Sequence, residues 1–269
     1  MANFFLTIKN LTLQYSTRNT RQAIQHTIAL PVLGLTLLTI LYLLNNNQNV
    51  FLALNQISLF TGESLWAYLT LLGDPVVLLC IGLALYSIAP QISFSLLPTL
   101  VVGGISVFYF KWLFGVDRPP GVLSDIVVIG QPPISGAFPS GHTTGVFAMA
   151  ALLMLLTKNH KVKLLLLAIA LLVGFSRIAV GAHWPMDVSA GIVLGWLCAI
   201  IGVKISKGWQ PSEQKARAIN LLLIITAIYL FFRNTGYAQA YFMQFAIAAS
   251  CLSISTISLL KLKAANARS

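Results

Sequence analysis

Charged residues are scarce in this chain, and acidic residues are the scarcest of them. Only 9% of the 269 residues are charged, and six of these are aspartate or glutamate. A soluble domain of this size could not combine so few charges with 57% hydrophobic residues and a mean hydropathy of +0.84, because that much apolar surface requires lipid. The composition therefore excludes a water-soluble protein and predicts an integral membrane protein.

Cysteine is nearly absent as well. Cys80, Cys198 and Cys251 fall inside apolar runs, without CxxC spacing and without an adjacent histidine, so we predict buried small hydrophobic side chains. The carboxylates of the predicted outer loops are too few and too scattered for a two-metal site. The sequence contains no Walker loop, no GxGxxG and no internal repeat. We therefore predict neither a metal site nor another cofactor.

Long apolar runs determine the expected fold. A helix needs about 20 apolar residues to cross the hydrocarbon, and backbone in lipid must satisfy its own hydrogen bonds, so we predict an all-α, polytopic transmembrane bundle. Six runs form its core, at 26–44, 64–87, 92–112, 140–157, 164–182 and 188–206. The longest irregular connections are predicted at 45–63 and 113–139, both on the outer side. The chain then divides into an interfacial N-terminal segment 1–25, a six-span core 26–206 and a C-terminal region 207–269.

The C-terminal region contains a short apolar run, 218–232, and a long one, 237–260. The turn Arg233-Asn234-Thr235-Gly236 joins them. We predict a hairpin of two further spanning helices, and a re-entrant hairpin is the alternative. The sequence assigns no function to this hairpin.

Basic residues are the exception to the scarcity of charge, and they give a net charge of +11. Such a charge can indicate a nucleic acid partner, but the distribution of the cations argues against one. If the N-terminus is cytoplasmic, all but four of the 17 lysines and arginines fall on the cytoplasmic side, as the positive-inside rule favours. The four exceptions are Lys111, Arg118, Arg177 and Arg233. We therefore predict a bacterial-type inner membrane protein with membrane lipids as partners, and we leave the oligomeric state open.

Three short strings hold most of the polar chemistry, and each lies at the predicted outer end of an apolar run. They are Lys111-x6-Arg118-Pro119, Pro139-Ser140-Gly141-His142 and Ser176-Arg177-x5-His183-x3-Asp187. Arginine suits bidentate contact with phosphate oxygens, and a helix N-terminus favours an anion. We predict that one phosphate group is bound by Lys111, Arg118, Ser140, Gly141 and Arg177, on the periplasmic or extracellular side.

The positions of the two histidines indicate how that phosphate reacts. His183 and Asp187 are four residues apart, so they can lie on one helix face, where Asp187 accepts a ring N–H of His183. The other ring nitrogen is then free to attack phosphorus. His142 is the general acid, which protonates the departing alkoxide. Water then cleaves the phosphohistidine, and the scheme requires no metal.

One carboxylate lies inside a predicted span. Asp74 precedes Pro75 in the run 64–87, and a buried carboxylate in lipid is by default a functional hypothesis. A proline kink also frees backbone groups that a nearby side chain can satisfy. We favour this second explanation for Asp74.

The three strings together resemble the signature of the type 2 phosphatidic acid phosphatase superfamily, KxxxxxxRP, PSGH and SRxxxxxHxxxD. All eleven fixed positions match, and the pattern covers residues 111–187. The resemblance implies a six-helix phosphatase core, with His183 as nucleophile, Asp187 as its partner and His142 as acid. It implies that phosphate is bound by Lys111, Arg118, Ser140, Gly141 and Arg177. It also implies hydrolysis of a lipid phosphate or diphosphate, with undecaprenyl diphosphate, phosphatidic acid, phosphatidylglycerol phosphate and phosphorylated lipid A as candidates.

Two other functions would use some of the same residues. A lipid phosphotransferase would use the same site and hand the phosphoryl group to another lipid. An anion transporter or binding protein would use only the cations and would not need His142, His183 and Asp187 at these spacings. Transporters of this size commonly contain inverted repeats, which this sequence lacks.

Overall fold

In the computed structural model, residues 25, 27–155 and 159–266 are described. Within them the chain is α-helical apart from turns, short 3₁₀ segments and one irregular segment, the Pro-rich loop 123–139. The first half forms α1 (Ala29–Leu43), α2 (Asn47–Asn55), α3 (Ile57–Thr61), α4 (Glu63–Leu71), α5 (Pro75–Ala84) and α6 (Pro90–Phe114). The second half forms α7 (Pro119–Val122), α8 (Gly141–Met154), α9 (His160–Ala179), α10 (Pro185–Ile205), α11 (Glu213–Phe232) and α12 (Tyr241–Asn266). The predicted segment 1–25 lies outside the described residues, apart from Gln25.

The helices are those of a multi-pass membrane protein, as the composition predicts. Five described segments are long and apolar enough to cross a membrane: Pro90–Val122, His160–Ala179, Pro185–Ile205, Glu213–Phe232 and Ala238–Ala264. Two bent pairs, Ala29–Leu43 with Asn47–Thr61 and Glu63–Leu71 with Pro75–Ser87, raise the number to seven if each is one span. The predicted fold class is confirmed.

The prediction of an irregular loop over 45–63 is wrong. After α1 the chain turns at Asn45, where φ is +46°, and α2 and α3 continue at 112° to α1. On α2, Phe51 is fully buried and meets Trp184 edge to face, with 5.1 Å between the ring centroids. The amide-rich sequence does not indicate this helix, because a short helix is stabilised by tertiary burial rather than by the helix propensity of its residues.

The second span is bent by 56° at Asp74, between α4 and α5. Asp74 caps α5, because its Oδ1 accepts from Val76 N at 2.8 Å and from Val77 N at 3.4 Å. Pro75 occupies the first position of α5, where the missing N–H costs nothing. The predicted kink is confirmed, and the Asp74 side chain satisfies the freed backbone groups.

Helix α8 lies at the centre of the bundle, with nearly every residue after His142 buried. It packs most extensively on α10, which also packs on α1 and α6. The sequence GxxxG over Gly191–Gly195 permits this contact. A Cβ on Gly195 would lie 2.4 Å from Thr144 O and 3.0 Å from Ala148 N, so the two backbones nearly touch.

Replacing Gly195 with alanine should destabilise the bundle by about 1–3 kcal/mol, because the added methyl group forces α8 and α10 apart. Gly104→Ala on α6 is the matched control, since a Cβ there meets nothing within 4 Å. Thermal unfolding of the two purified variants in detergent measures the difference. Equal unfolding temperatures would contradict the close approach of the two helices.

The C-terminal hairpin consists of α11, a turn over 233–240 and α12. The two helices pack against each other and against α5. Helix α11 begins at Glu213, five residues before the predicted run, because Ser212 caps a polar first turn through a hydrogen bond from Lys215 N. Both helices are long enough to cross a membrane, which favours two spans over a re-entrant hairpin.

Candidate active site

The C-terminal end of α9 brings Arg177 and His183 together. Gly181 follows the helix with a φ of +75°, a left-handed conformation that glycine adopts without strain. The chain therefore turns back, and the amides of Ala182 and His183 both donate to Arg177 O, at 3.0 and 3.1 Å. A Cβ on Gly181 would lie 2.4 Å from Val127 O, so the turn is also in close contact with the Pro-rich loop, to which Val127 belongs.

Helix α10 begins directly after His183 and carries the carboxylate that orients the ring. Asp187 is its third residue, and Oδ2 accepts from Trp184 N at 2.9 Å. The same oxygen lies 3.2 Å from His183 Nδ1. With Nδ1–H donating to the carboxylate, Nε2 carries the free lone pair. One carboxylate thus caps the helix and sets the tautomer of the histidine.

The environment of His183 keeps its ring neutral. The side chains of His183 and Asp187 are both only 2% exposed. Burial lowers the pKa of His183 well below its ordinary value of 6.5, and the positive charges of Arg118 and Arg177 lower that pKa further. A neutral imidazole with a free Nε2 can act as a nucleophile near neutral pH.

Lys111 and Arg118 meet at the end of the Pro-rich loop. Lys111 Nζ donates to Gly136 O, and to Ala137 O at 3.3 Å. Arg118 Nη2 donates to Gly136 O at 3.4 Å, and Arg118 Nη1 donates to Ala182 O, beside His183, at 3.3 Å. Two cations from the end of α6 and the start of α7 therefore converge next to the histidine.

Arg177 is held through one nitrogen and leaves another unpaired. Its Nη1 donates to Tyr237 OH at 2.9 Å and to Thr70 Oγ1. The whole residue is only 3% exposed, and its Nε is buried without a hydrogen-bond partner among the described residues. A buried N–H without a partner is costly, and a phosphate oxygen would satisfy it. The Nε edge of a guanidinium also matches the bidentate geometry of phosphate.

The N-terminus of α8 lies against the N-terminus of α10, because Ser140 N donates to Asp187 O at 3.0 Å. Ser140 caps α8, with Oγ accepting from Thr143 N at 3.4 Å and from Thr143 Oγ1 at 2.9 Å. Gly141 is the first residue of the helix, where backbone N–H groups lack intrahelical partners. Direct contact of Ser140 and Gly141 with phosphate stays a prediction.

His142 follows on the first turn of α8 and is partly exposed. It packs against the bend between α4 and α5, where a Cβ on Gly73 would lie 3.2 Å from His142 Cβ. The charges of four cations act on it, namely Arg177, Arg118, Arg233 and Lys111. The structure thus brings the eight predicted site residues to one end of the bundle.

Asn55 at the end of α2 supports this end of the bundle and was missed by sequence reasoning. Its Nδ2 donates to Val127 O at 2.9 Å, Ile178 O at 3.1 Å and Ala179 O at 3.2 Å. Its Oδ1 accepts from Val127 N at 2.8 Å. One buried amide therefore ties the Pro-rich loop to the end of α9. No signal in the sequence separates it from its exposed amide neighbours.

Asn55→Ala should cost about 1–3 kcal/mol of stability, because buried backbone groups lose their partners. Amide hydrogen exchange at Val127 and Ile129 should also accelerate. Asn49→Ala is the matched control, since Asn49 is exposed and donates to the neighbouring Asn46 Oδ1, at 2.8 Å. Exchange rates that are the same in both variants would show that Asn55 does not brace the loop.

A cleft of about 400 Å³ opens beside the site and reaches Asp187. Its walls are largely apolar and include Val122, Phe138, Trp184 and Met186. An apolar cleft next to clustered cations fits a ligand with an apolar tail and an anionic head. Within the described residues, no three histidine, cysteine, aspartate or glutamate side chains form a metal-binding group.

Residues 92–211 match the model of the PAP2 superfamily, a range that contains all three strings. The chain is 27% identical to the undecaprenyl-diphosphatase of Sulfolobus acidocaldarius over 59% of its own length and 78% of that protein. It is 31% identical to the undecaprenyl-diphosphatase BcrC of Bacillus subtilis, over 41% of this chain and 56% of that protein. It is 34% identical to the lipid A 1-phosphatase of Rhizobium etli, over 40% of this chain and 48% of that protein.

A solved structure agrees with the sequence matches. The crystal structure of Aquifex aeolicus LpxE superposes with a TM-score of 0.53 at 27% sequence identity. The match covers 59% of this chain and 94% of that chain. Nearly the whole of the solved chain thus has a counterpart here, and a large part of the present chain lies outside it.

Proposed function

Because this chain belongs to the PAP2 superfamily of membrane lipid phosphatases, we propose that it hydrolyses a lipid phosphate or lipid diphosphate through a phosphohistidine on His183. The observation that carries the proposal is the buried pair of His183 Nδ1 and Asp187 Oδ2, 3.2 Å apart, beside Arg118 and Arg177. A carboxylate that sets the tautomer of a neutral histidine prepares a nucleophile, whereas anion binding alone needs no such pair.

In this proposal the cations bind the substrate phosphate. Arg177 offers its unpaired Nε edge, and Arg118 and Lys111 add positive charge next to His183. The N-terminus of α8 contributes its backbone N–H groups and the positive end of its dipole. These groups stabilise the charge that develops on the equatorial oxygens as the phosphoryl group transfers.

In the first chemical step, His183 Nε2 attacks phosphorus. A P–N bond forms, and the bond from phosphorus to the leaving oxygen breaks. His142, protonated once the negative charge of the bound phosphate offsets the four cations around it, donates its proton to that oxygen. Asp187 stabilises the positive charge that develops on the His183 ring. For a lipid monophosphate the leaving group is an alcohol, and for a lipid diphosphate it is the lipid monophosphate.

In the second step, water attacks the phosphohistidine. His142, now neutral, takes a proton from the water, the P–N bond breaks, and inorganic phosphate leaves. His183 returns to its neutral form with its Nδ1–H on Asp187. The cycle restores every residue to its starting protonation state.

The substrate class follows from the cleft and from the names of the relatives. The apolar cleft beside Trp184 accommodates a lipid tail, and the similar proteins are named as acting on undecaprenyl diphosphate and on the 1-phosphate of lipid A. Phosphate release from purified protein measures this directly, with a panel of undecaprenyl diphosphate, phosphatidic acid, phosphatidylglycerol phosphate and lipid A. We expect release from at least one member. A protein that binds these lipids and releases phosphate from none would contradict the proposal.

We place the reaction at the outer leaflet of a bacterial-type inner membrane, with the N-terminus in the cytoplasm. The positive-inside rule supports this orientation, since the cations near the opposite ends of the helices, such as Lys161, Lys204 and Lys261, outnumber those of the site. A reporter that works only outside the cytoplasm, inserted within 113–139, should be active. Activity of a cytoplasm-only reporter at the same position would reverse the topology.

A further inference from the structure

The C-terminal hairpin lies outside the matched region 92–211, yet its turn reaches the site. Tyr237, in the turn between α11 and α12, is 7% exposed, and its hydroxyl accepts from Arg177 Nη1 at 2.9 Å. Its ring also faces the guanidinium, with Arg177 Cζ 5.9 Å from the ring centroid. A residue from outside the core therefore contacts one of the proposed phosphate ligands.

The turn that carries Tyr237 is fixed on both sides. Arg233 Nη1 donates to Asp74 Oδ1 at 2.8 Å, which joins the end of α11 to the bend of the second span. On the other side, a Cβ on Gly130 would lie 2.5 Å from Gly236 O and 2.8 Å from Tyr237 Cε1. Gln244 Nε2 closes the turn by donating to Arg233 O at 2.7 Å. The Tyr237 ring thus has little freedom to move away from Arg177.

The hydrogen bond from Arg177 to Tyr237 determines which edge of the guanidinium is left free for a ligand. A guanidinium has five N–H donors in a rigid plane, so holding one nitrogen fixes the direction of the rest. Tyr237 and Thr70 both accept from Nη1, and Nε stays unpaired. Without the Tyr237 hydroxyl, Thr70 alone holds Nη1, so the guanidinium gains freedom to rotate and its Nε edge is less strictly directed.

We propose that Tyr237 is a positioning residue for the phosphatase site, and that the C-terminal hairpin serves to hold the Nε edge of Arg177 toward the substrate phosphate. This inference rests on the proposed function, because it assigns that edge to phosphate. Tyr237 itself does not take part in the chemistry, and it acts only through Arg177.

Tyr237→Phe tests the inference, since it removes the hydroxyl and keeps the ring. With p-nitrophenyl phosphate as substrate, we expect kcat/KM to fall about tenfold, the effect of one charge-assisted hydrogen bond. The inhibition constant of inorganic phosphate should rise in parallel, because the same edge of Arg177 binds it. A purely structural role would instead lower the unfolding temperature and leave phosphate inhibition unchanged.

Tyr241→Phe is the matched control. Tyr241 lies on the same hairpin, but its hydroxyl donates to Asn234 Oδ1 at 3.1 Å on the exposed side, so kcat/KM should stay within about twofold of the parent. In an Arg177→Lys background, Tyr237→Phe should also change kcat/KM by less than about twofold, because the partner through which it acts is gone. The same tenfold loss in both backgrounds would overturn the inference.

The outcomes separate this inference from the proposed function. Loss of activity in Arg177→Lys together with full activity in Tyr237→Phe overturns the positioning role and leaves the phosphatase proposal intact. Full activity in Arg177→Lys overturns the phosphate-binding role of Arg177, and the role of Tyr237 with it.

Discussion

Replacing His183 with alanine should lower phosphate release by about 10⁴-fold or more, because the nucleophile and its pairing with Asp187 are lost together. Binding of the lipid should be largely retained, since Lys111, Arg118 and Arg177 are unchanged. The variant therefore separates an enzyme from an anion transporter or binding protein. The two activities are measured on one preparation, as phosphate release in detergent and as lipid binding to the immobilised protein.

His160→Ala is the control for this prediction. His160 is exposed at the start of α9, at the opposite end of the bundle from His183, so its removal should leave turnover unchanged. Folding of both variants is checked by their elution and unfolding temperature. Turnover by His183→Ala at the parental rate would rule out the phosphohistidine mechanism, whatever the binding result.

Replacing His142 with alanine should produce a loss that depends on the leaving group. A general acid contributes about 10²–10⁴-fold when the departing oxygen is a poor leaving group such as an alkoxide. Nitrophenolate departs without protonation, so kcat/KM for p-nitrophenyl phosphate should fall far less than kcat/KM for a phosphatidic acid. The ratio kcat/KM is the right quantity, because it covers the steps up to departure of the leaving group and excludes cleavage of the phosphohistidine.

Equal losses on the two substrates would show that His142 binds phosphate rather than protonates the leaving oxygen. Its position permits either role, since it lies on the first turn of α8 among four cations. A lipid diphosphate should behave like p-nitrophenyl phosphate, because its leaving group is a phosphate. The size of the His142→Ala effect on each lipid thus also reports on the chemistry of the bond that is cleaved.

The contact between His183 and Asp187 could be predicted from the sequence, because it is local. A spacing of four residues and a proline at the start of α10 together determine which atoms meet. The kink at Asp74 follows from Pro75 in the same way. The end of α9 is also local, since Gly181 allows the turn that folds His183 back onto Arg177.

The supports of the site could not be predicted, because they come from elements distant in the chain. Thr70 and Tyr237 contact Arg177 across 107 and 60 residues, and Asn55 contacts Val127 across 72 residues. No spacing rule connects such positions. The sequence indicates Arg233 only as a fourth cation on the outer side without an assigned role. Its contact with Asp74 cannot be predicted, because it depends on the packing of α11 against α5.

Transfer of the phosphoryl group to His183 can be observed by rapid quenching of the reaction under alkaline conditions, followed by mass spectrometry of the digested protein. Alkaline conditions are needed because phosphohistidine is stable to alkali and labile to acid. We expect a phosphoryl group on His183 during turnover, absent from the His183→Ala variant. Turnover with no phosphorylated residue, or with the phosphoryl group on another side chain, would contradict it.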